Sequence, residues 1–252
     1  VDAHDGNHGA LFDAPQSDGT TAQPCGIQQT RAEMGLRSST TPDSHTYFAP
    51  NNLQKAGDMN LILGSKYRIM SSSDPKPGLE GWKEVADSLN STADQLEPAG
   101  LKTGYHNHER EFTPVEGKRP IEILATNTKP SIALQLDVGT CLKAGSDPVA
   151  WIRANPGRIK SIHCKDWAPG EDKGYTVLFG EGAADWKGIF AAAESVGGVE
   201  YYLVEQEGSR FSEFETAKKC LETFRRQHSS LEVARYPLYP NRAAPRLEQH
   251  DV

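Results

Sequence analysis

From Met34 onward the chain switches between two hydrophobic periods. Stretches with apolar residues three and four apart, the spacing of one helix face, end at a glycine or a Pro-Gly pair, and short apolar runs of strand length follow. Asn51 to Leu63 gives way at Gly64 to SKYRIMSS, and Trp82 to Pro98 gives way at Gly100 to LKTGYHNH. Ile121 to Asn127 precedes SIALQLDVG; Pro148 to Asn155 leads through Pro156-Gly157 to RIKSIHCKD; Asp185 to Val196 leads through Gly197-Gly198 to VEYYLVEQE. Trp82, Val85, Ala86, Leu89, Ala93 and Leu96 fall on one helix face, as do Trp186, Ile189, Phe190 and Ala193. A last helix is expected from about Phe211 to Arg226, with Phe214, Ala217, Leu221 and Phe224 turned inward. Residues 1–33 hold no sustained period and many turn formers, so His4, Asp5 and His8 there read as a solvated end rather than a metal cluster. The expected organisation is an irregular segment 1–33, a folded domain 34–228, and a tail 229–252 that reads as a surface arm or partner contact.

Helix and strand alternating in this way imply parallel strands joined by right-handed crossovers. That leaves an open doubly wound sheet or a closed barrel. An open sheet binds at one switch point, usually with a glycine-rich loop after its first strand, and no GxGxxG or Walker-type run is present. A barrel instead gathers side chains from the ends of many strands into one mouth.

Length and charge narrow the partners. At 252 residues the chain can bury a full-sized core. A net charge of −7 with no basic stripe argues against nucleic acid or an anionic membrane as partner. No apolar run approaches the roughly 18–20 residues that span a bilayer. The cysteines Cys25, Cys141, Cys164 and Cys220 show no CxxC, which speaks against a zinc knuckle or disulfide framework and fits a reducing, cytoplasmic compartment; because the chain starts at Val1, an exported form stays open.

The candidate chemistry lies at four successive strand ends. His106 and His108 in GYHNHEREF point one way while Tyr105 and Asn107 point the other. Asp137 ends LQLDVG, His163 sits in SIHCKDW, and Glu205 in LVEQE. Each follows an apolar alternating run, and in a barrel all would converge at the top of the core. One Asp, one or two His and one Glu make a mixed nitrogen and oxygen shell suited to Mn²⁺, Co²⁺, Zn²⁺ or Mg²⁺. Lys165 alternates onto the face of His163, where it could steady a developing oxyanion or a substrate hydroxyl, or else cap the barrel by pairing with Asp166 or a neighbour. Asp185 reads as a helix cap, and segment 171–183 as a cover for the mouth. Trp167 and Tyr175 are candidates either to stack on a bound ring or to pack in the core or the covering segment, and Asn107 is a candidate substrate contact.

GYHNHEREF, LQLDVG, AGSDPVAWI, PGRIKSIHCKDW, GEGAADW and YYLVEQE, in this order and spacing, resemble the sugar phosphate isomerase/epimerase family of the xylose isomerase-like, endonuclease IV-like barrels. The resemblance covers about residues 34–226. It implies a (β/α)₈ TIM-type barrel with a divalent metal at its mouth, ligated by His106, Asp137, His163 and Glu205. It also sets His45 beside a histidine that the superfamily often places on an earlier strand, as a substrate contact. Two departures stand out. Many relatives carry Glu where His106 falls, so whether His106, His108 or Glu111 completes the shell is open. Counting back makes LRSSTTP the third barrel strand, so the barrel is incomplete or irregular at its N-terminus, with the gap filled by divergent sequence, covered by another chain of a homo-oligomer, or left as the mark of a remnant.

The expected reaction is isomerisation or epimerisation of a small carbohydrate. The metal chelates a carbonyl and the adjacent hydroxyl and stabilises the enediolate, with Glu205 as ligand and base, and His108 or Glu111 as its partner in proton transfer. A lyase acting on a keto-inositol or a 3-keto-glycoside begins with the same proton abstraction. A non-catalytic barrel derivative is the third reading; it predicts no metal and no hydrogen exchange.

Overall fold

The computed structural model describes residues 40–44, 48, 50–196 and 198–232. Among these residues six parallel strands lie side by side in chain order, β1 (Thr40–Ser44), β2 (Tyr67–Ser72), β3 (Lys102–His106), β4 (Ala133–Asp137), β5 (Ser161–Cys164) and β6 (Tyr201–Val204). Helices α1 (Pro50–Leu63), α2 (Gly78–Leu96), α3 (Glu109–Phe112), α4 (Pro120–Asn127), α5 (Val138–Lys143), α6 (Pro148–Ala154), α7 (Trp186–Val196) and α8 (Glu213–Glu232) fill the crossovers. This is the alternation expected from the sequence, and it is consistent with an incomplete (β/α)₈ barrel. The outer edges of β1 and β6 have no strand partner among the described residues. Where a helix must turn sharply into the next strand, Gly64 (φ 66°) and Gly100 (φ 79°) supply a left-handed residue without a side-chain penalty.

Strict alternation sorts the strands into an outer and an inner layer. Leu134, Leu136, Ile162 and Cys164 face the helices, where they join Trp82, Ala86, Leu89, Ile189 and Phe190 in the main core. Tyr67, Ile69 and Ala133 form a separate inner cluster, with Tyr201 packed against it. The inner layer is tight: a Cβ on Gly104 would lie 2.5 Å from Ile69 Cδ1 and 2.8 Å from the Ala133 carbonyl oxygen. At the opening of the strands the Tyr67 hydroxyl donates to Glu200 Oε1 at 2.6 Å, and Lys66 pairs with the same carboxylate. That cluster ties the start of β2 to the segment just before β6, bending the sheet into an arc with its C-terminal ends facing one another.

One expected face is wrong. In α8, Phe214 is 92% exposed and Leu221 43%, and Ala217 is exposed too; Thr216 and Cys220 are buried instead, and of the expected set only Phe224 packs against the core. The helix is turned by the aromatic cluster at its far end, where Phe224 and His228 stack on one another and meet Phe190 and Tyr202. The helix also runs past Arg226 to Glu232. Segment 1–33 and the expected arm lie outside the described residues, apart from the helical end of 229–232. No helix among the described residues is long and apolar enough to cross a membrane.

Candidate metal centre at the strand ends

Inner-face alternation brings residues from β3, β4 and β5 to one level. His106 pairs in register with Gln135, and Asp137 with His163. One donor atom each from His106, Asp137 and His163 lies within 4.8 Å of the others. The His106 and His163 rings are 4.6 Å apart between centroids, and the His106 and His108 rings 5.0 Å.

The layer beneath sets which nitrogen each ring offers. Gln135 donates its amide to Ser161 Oγ at 2.7 Å, so its oxygen faces His106 Nδ1 at 2.9 Å and requires the proton there. His106 Nε2 is left bare, 3.9 Å from Asp137 Oδ2. Burial, then the neighbouring imidazoles of His163 and His108, push the His106 pKa well below the ordinary histidine value, so the ring is neutral and can act as a ligand. His163 Nδ1 is hydrogen-bonded to Glu205, which leaves its Nε2 as the free nitrogen.

Asp137 is the centre of the arrangement. Its Oδ1 accepts the Thr140 N–H at 2.9 Å and so caps α5. Its Oδ2 is fully buried and has no hydrogen-bond partner among the described residues; Lys165 Nζ stands 3.5 Å away. Burial raises the Asp137 pKa, against the pull of Lys165 and the Thr140 N–H. An unpaired carboxylate oxygen facing two imidazole nitrogens is a donor set for a divalent cation such as Zn²⁺, Mn²⁺ or Co²⁺.

Glu205, expected as the fourth ligand, stands beside this trio. One oxygen is bonded to His163 and the other to Lys165 Nζ at 3.1 Å. Burial alone would raise its pKa, but the hydrogen bond and electrostatic pull of His163, with those of Lys165, outweigh that and hold it well below the usual carboxylate range. Lys165 does not pair with Asp166; it meets the carboxylates of Glu205, Glu207 and Asp137. Burial alone would lower its pKa, and those three groups instead hold it raised.

Other expected residues go elsewhere. His108 is exposed at the rim. Glu111 is buried on the side of the strand where Tyr105 points, accepting the Tyr105 hydroxyl at 2.8 Å, Arg110 Nε at 2.9 Å and the His108 N–H at 2.7 Å. It locks the turn after β3 and takes no place in the trio. Asn107 likewise spends its side chain on structure, accepting the Asp137 N–H at 3.0 Å and donating to Thr140 Oγ1 at 2.9 Å. Trp167 is half-buried, a few residues before the covering segment. His45 lies outside the described residues.

Segment 171–183 does cross to the mouth. The Tyr175 hydroxyl donates to Glu109 Oε1 at 2.6 Å, and its ring lies 4.8 Å from Lys165 Nζ and 5.0 Å from Lys143 Nζ. Two residues that sequence reasoning passed over hold the segment there. Gln206 donates to the carbonyls of Tyr175 and Val177. Asp166, buried, accepts the N–H groups of Trp167, Gly180, Gly182 and Ala184 and the Trp186 indole N–H. The GEG run at 180–182 was its signal: a Cβ on Gly182 would lie 2.1 Å from Asp166 Oδ1. Glu207 was also missed, although Glu205 and Glu207 alternate onto one face. Asp185 caps α7 as expected, accepting the Gly188 N–H at 3.0 Å.

Comparison with known proteins agrees with this architecture. Residues 24–227 match the family described as Xylose isomerase-like TIM barrel. An inosose dehydratase of Clostridium beijerinckii is 29% identical over 144 residues, 51% of this chain and 48% of that protein. The chain spans about half the length of the curated relatives it matches. A sugar phosphate isomerase/epimerase from Parabacteroides distasonis superposes with a TM-score of 0.69 at 25% identity, covering 83% of this chain and 77% of that one. The IolI protein, whose structure holds a zinc atom, superposes with a TM-score of 0.68 over 83% and 82% of the two chains; at 18% identity it speaks to the fold alone.

Proposed function

The chain belongs to the xylose isomerase-like TIM barrel family, and from that premise we propose that it is a divalent-metal-dependent isomerase or epimerase of a sugar or keto-sugar, working through an enediolate. The observation that carries the reading is the convergence of His106, Asp137 and His163 on one point, with a buried Asp137 oxygen that has no hydrogen-bond partner among the described residues. His106, Asp137 and His163 would hold the ion, with Glu205 adjacent. When bound, the ion would polarise a substrate carbonyl and acidify the neighbouring C–H.

The chain's own groups do the rest. Glu205 is ionised at neutral pH, stands beside the trio and is partly exposed, so it is the group to accept the carbon-bound proton. Lys165, fixed against it, neutralises charge that develops on a substrate oxygen. His108, on the rim next to His106, can return a proton to a second carbon or to the other face. Tyr175 and the segment that carries it limit water on the Lys165 side.

A second reading, dehydration of a keto-inositol, is favoured by the inosose dehydratases among the curated relatives. Both reactions start from the same deprotonation. The test is metal analysis of the parent beside an Asp137→Ala/Glu205→Ala variant, followed by NMR of metal-loaded protein with keto-sugars and inosose in D₂O. Metal retained only by the parent, with deuterium entering substrate carbon, supports the proposal; loss of water from inosose selects the lyase. Equally little metal in both proteins and no exchange would refute it.

A further inference from the structure

Three carboxylates from two strand ends put an oxygen on one ammonium. Lys165 Nζ lies 3.1 Å from Glu205 Oε1 and 3.5 Å from Asp137 Oδ2, and it is also bonded to Glu207. An ammonium has three N–H donors; two are hydrogen-bonded to Glu205 and Glu207, and the Asp137 carboxylate stands close by as an unbonded charge. The lysine side chain is only 5% exposed, a burial that an uncompensated cation would not tolerate. Its stem is gripped as well. A Cβ on Gly139 would lie 3.1 Å from Lys165 Cγ and 3.2 Å from Tyr175 Cε1, so both side chains pack directly on the bare glycine. With the Tyr175 ring 4.8 Å from Nζ, the ammonium is enclosed by carboxylates on one side and an aromatic ring on another.

We propose that the Lys165 ammonium is a built-in cation of the mouth, locked in place by Glu207, and that it fixes at one the number of divalent ions this site accepts. The inference rests on the reading of the mouth as a metal site. Charge balance supports it. Asp137, Glu205 and Glu207 bring three negative charges against one positive, leaving a deficit that one divalent ion beside His106 and His163 would cancel. A second divalent ion would have to displace the ammonium from oxygens it already occupies. Glu207, half exposed at the rim, is thereby a positioning residue: it acts on the reaction through Lys165, without standing beside the trio.

The test is metal stoichiometry. The full chain and its Lys165→Ala and Lys165→Gln variants are dialysed against Mn²⁺ alone, and bound metal is counted by elemental analysis, with circular dichroism to establish folding. Lys165→Gln keeps most of the stem and a hydrogen-bonding end, so it guards against a folding failure of the alanine variant. Each folded variant should bind one more equivalent of Mn²⁺ than the parent, and the extra ion should broaden the Mn²⁺ electron paramagnetic resonance signal, because the two ions would share Asp137. No gain over the parent in any folded variant would overturn the proposal. The parent's own count reports separately on the functional reading: a parent without Mn²⁺ refutes the metal site and the proposal with it, whereas one equivalent in parent and folded variants alike overturns the role of Lys165 alone.

Discussion

Asp166→Asn should destabilise this protein far more than its conservative chemistry suggests. In the parent, Oδ1 accepts the N–H groups of Trp167 (2.9 Å) and Ala184 (3.3 Å), while Oδ2 accepts those of Gly180 (2.9 Å) and Gly182 (3.1 Å) and the Trp186 indole (2.9 Å). An amide has one acceptor oxygen. Oriented to keep the three bonds at Oδ2, it loses the other two and turns an NH₂ against two N–H donors. Hydrogen bonds to a charged acceptor contribute about 1.5–3 kcal/mol each, and the surviving three weaken as the charge is lost. Such losses are not additive, so the expected cost is about 3–5 kcal/mol, the range of other broken buried networks. At about 2–4 °C per kcal/mol for a domain of this size, the melting temperature should fall by roughly 6–20 °C. Urea denaturation gives the free energy, and hydrogen exchange shows whether the Gly180, Gly182 and Ala184 amides lose protection first. A melting temperature within about 2 °C of the parent would mean that Asp166 does not organise the covering segment, and the reasoning from its five partners would fail.

Four further outcomes are expected. Asp137→Asn should raise the melting temperature of the metal-free protein near neutral pH, because burial disfavours the ionised carboxylate, while Mn²⁺ or Zn²⁺ affinity measured by calorimetry falls by about 100-fold or more. Glu205 has a folded pKa below its unfolded value, so the stability it contributes is complete above about pH 4.3 and is lost as pH falls through the folded value. Glu205→Gln should therefore flatten the acid limb of a stability-versus-pH curve from urea titrations and leave its slope near neutrality unchanged. Tyr175→Phe removes one hydrogen bond and keeps the ring over Lys165; it should cost about 1 kcal/mol and speed amide exchange within segment 171–183. Phe214→Ser should change stability by less than about 0.5 kcal/mol, whereas Phe190→Ala should cost about 3–5 kcal/mol in the same denaturation assay.

What the sequence made legible follows from the period of a strand. Once LQLDVG and SIHCKDW are read as apolar runs of alternating residues, the face of Asp137 and His163 follows from counting by two, whereas the pairing of His106 with Gln135 is a register that only the fold shows. What stayed hidden depends on hydrogen bonds between distant segments. Glu111 and Glu109 look equivalent in HEREF. Only the fold shows that Glu111 is consumed by Tyr105, Arg110 and the His108 amide, while Glu109 reaches Tyr175 and Lys143. The role of Asp166 needs the glycines at 180 and 182 to return to it across a loop, a closure no local period encodes. The error in α8 has a related cause. Phe214, Ala217, Leu221 and Phe224 have good helical spacing, and so do Thr216, Cys220, Phe224 and His228. The choice between them is made by Phe190 and Tyr202, which belong to other elements.

The same geometry explains how a mouth can form on a sheet whose outer edges are unpaired among the described residues. The three donors of the trio come from β3, β4 and β5, which are consecutive neighbours, and Glu205 directly follows β6, the next strand in line. Their relative positions therefore depend on three strand-to-strand registers, not on closure of the whole ring. The arc still needs curvature to turn those ends inward, and the Tyr67–Glu200–Lys66 cluster supplies it by drawing the start of β2 to the start of β6 from the opposite end. Inward crowding at the top then comes from charge. A bare Asp137 oxygen, two imidazole nitrogens oriented by Gln135 and Glu205, and a lysine bonded to Glu205 and Glu207 are arranged around a place whose donors suit a divalent cation. Stability and activity accordingly pull in opposite directions at Asp137. The same buried oxygen that weakens the metal-free fold is the donor on which the proposed chemistry depends.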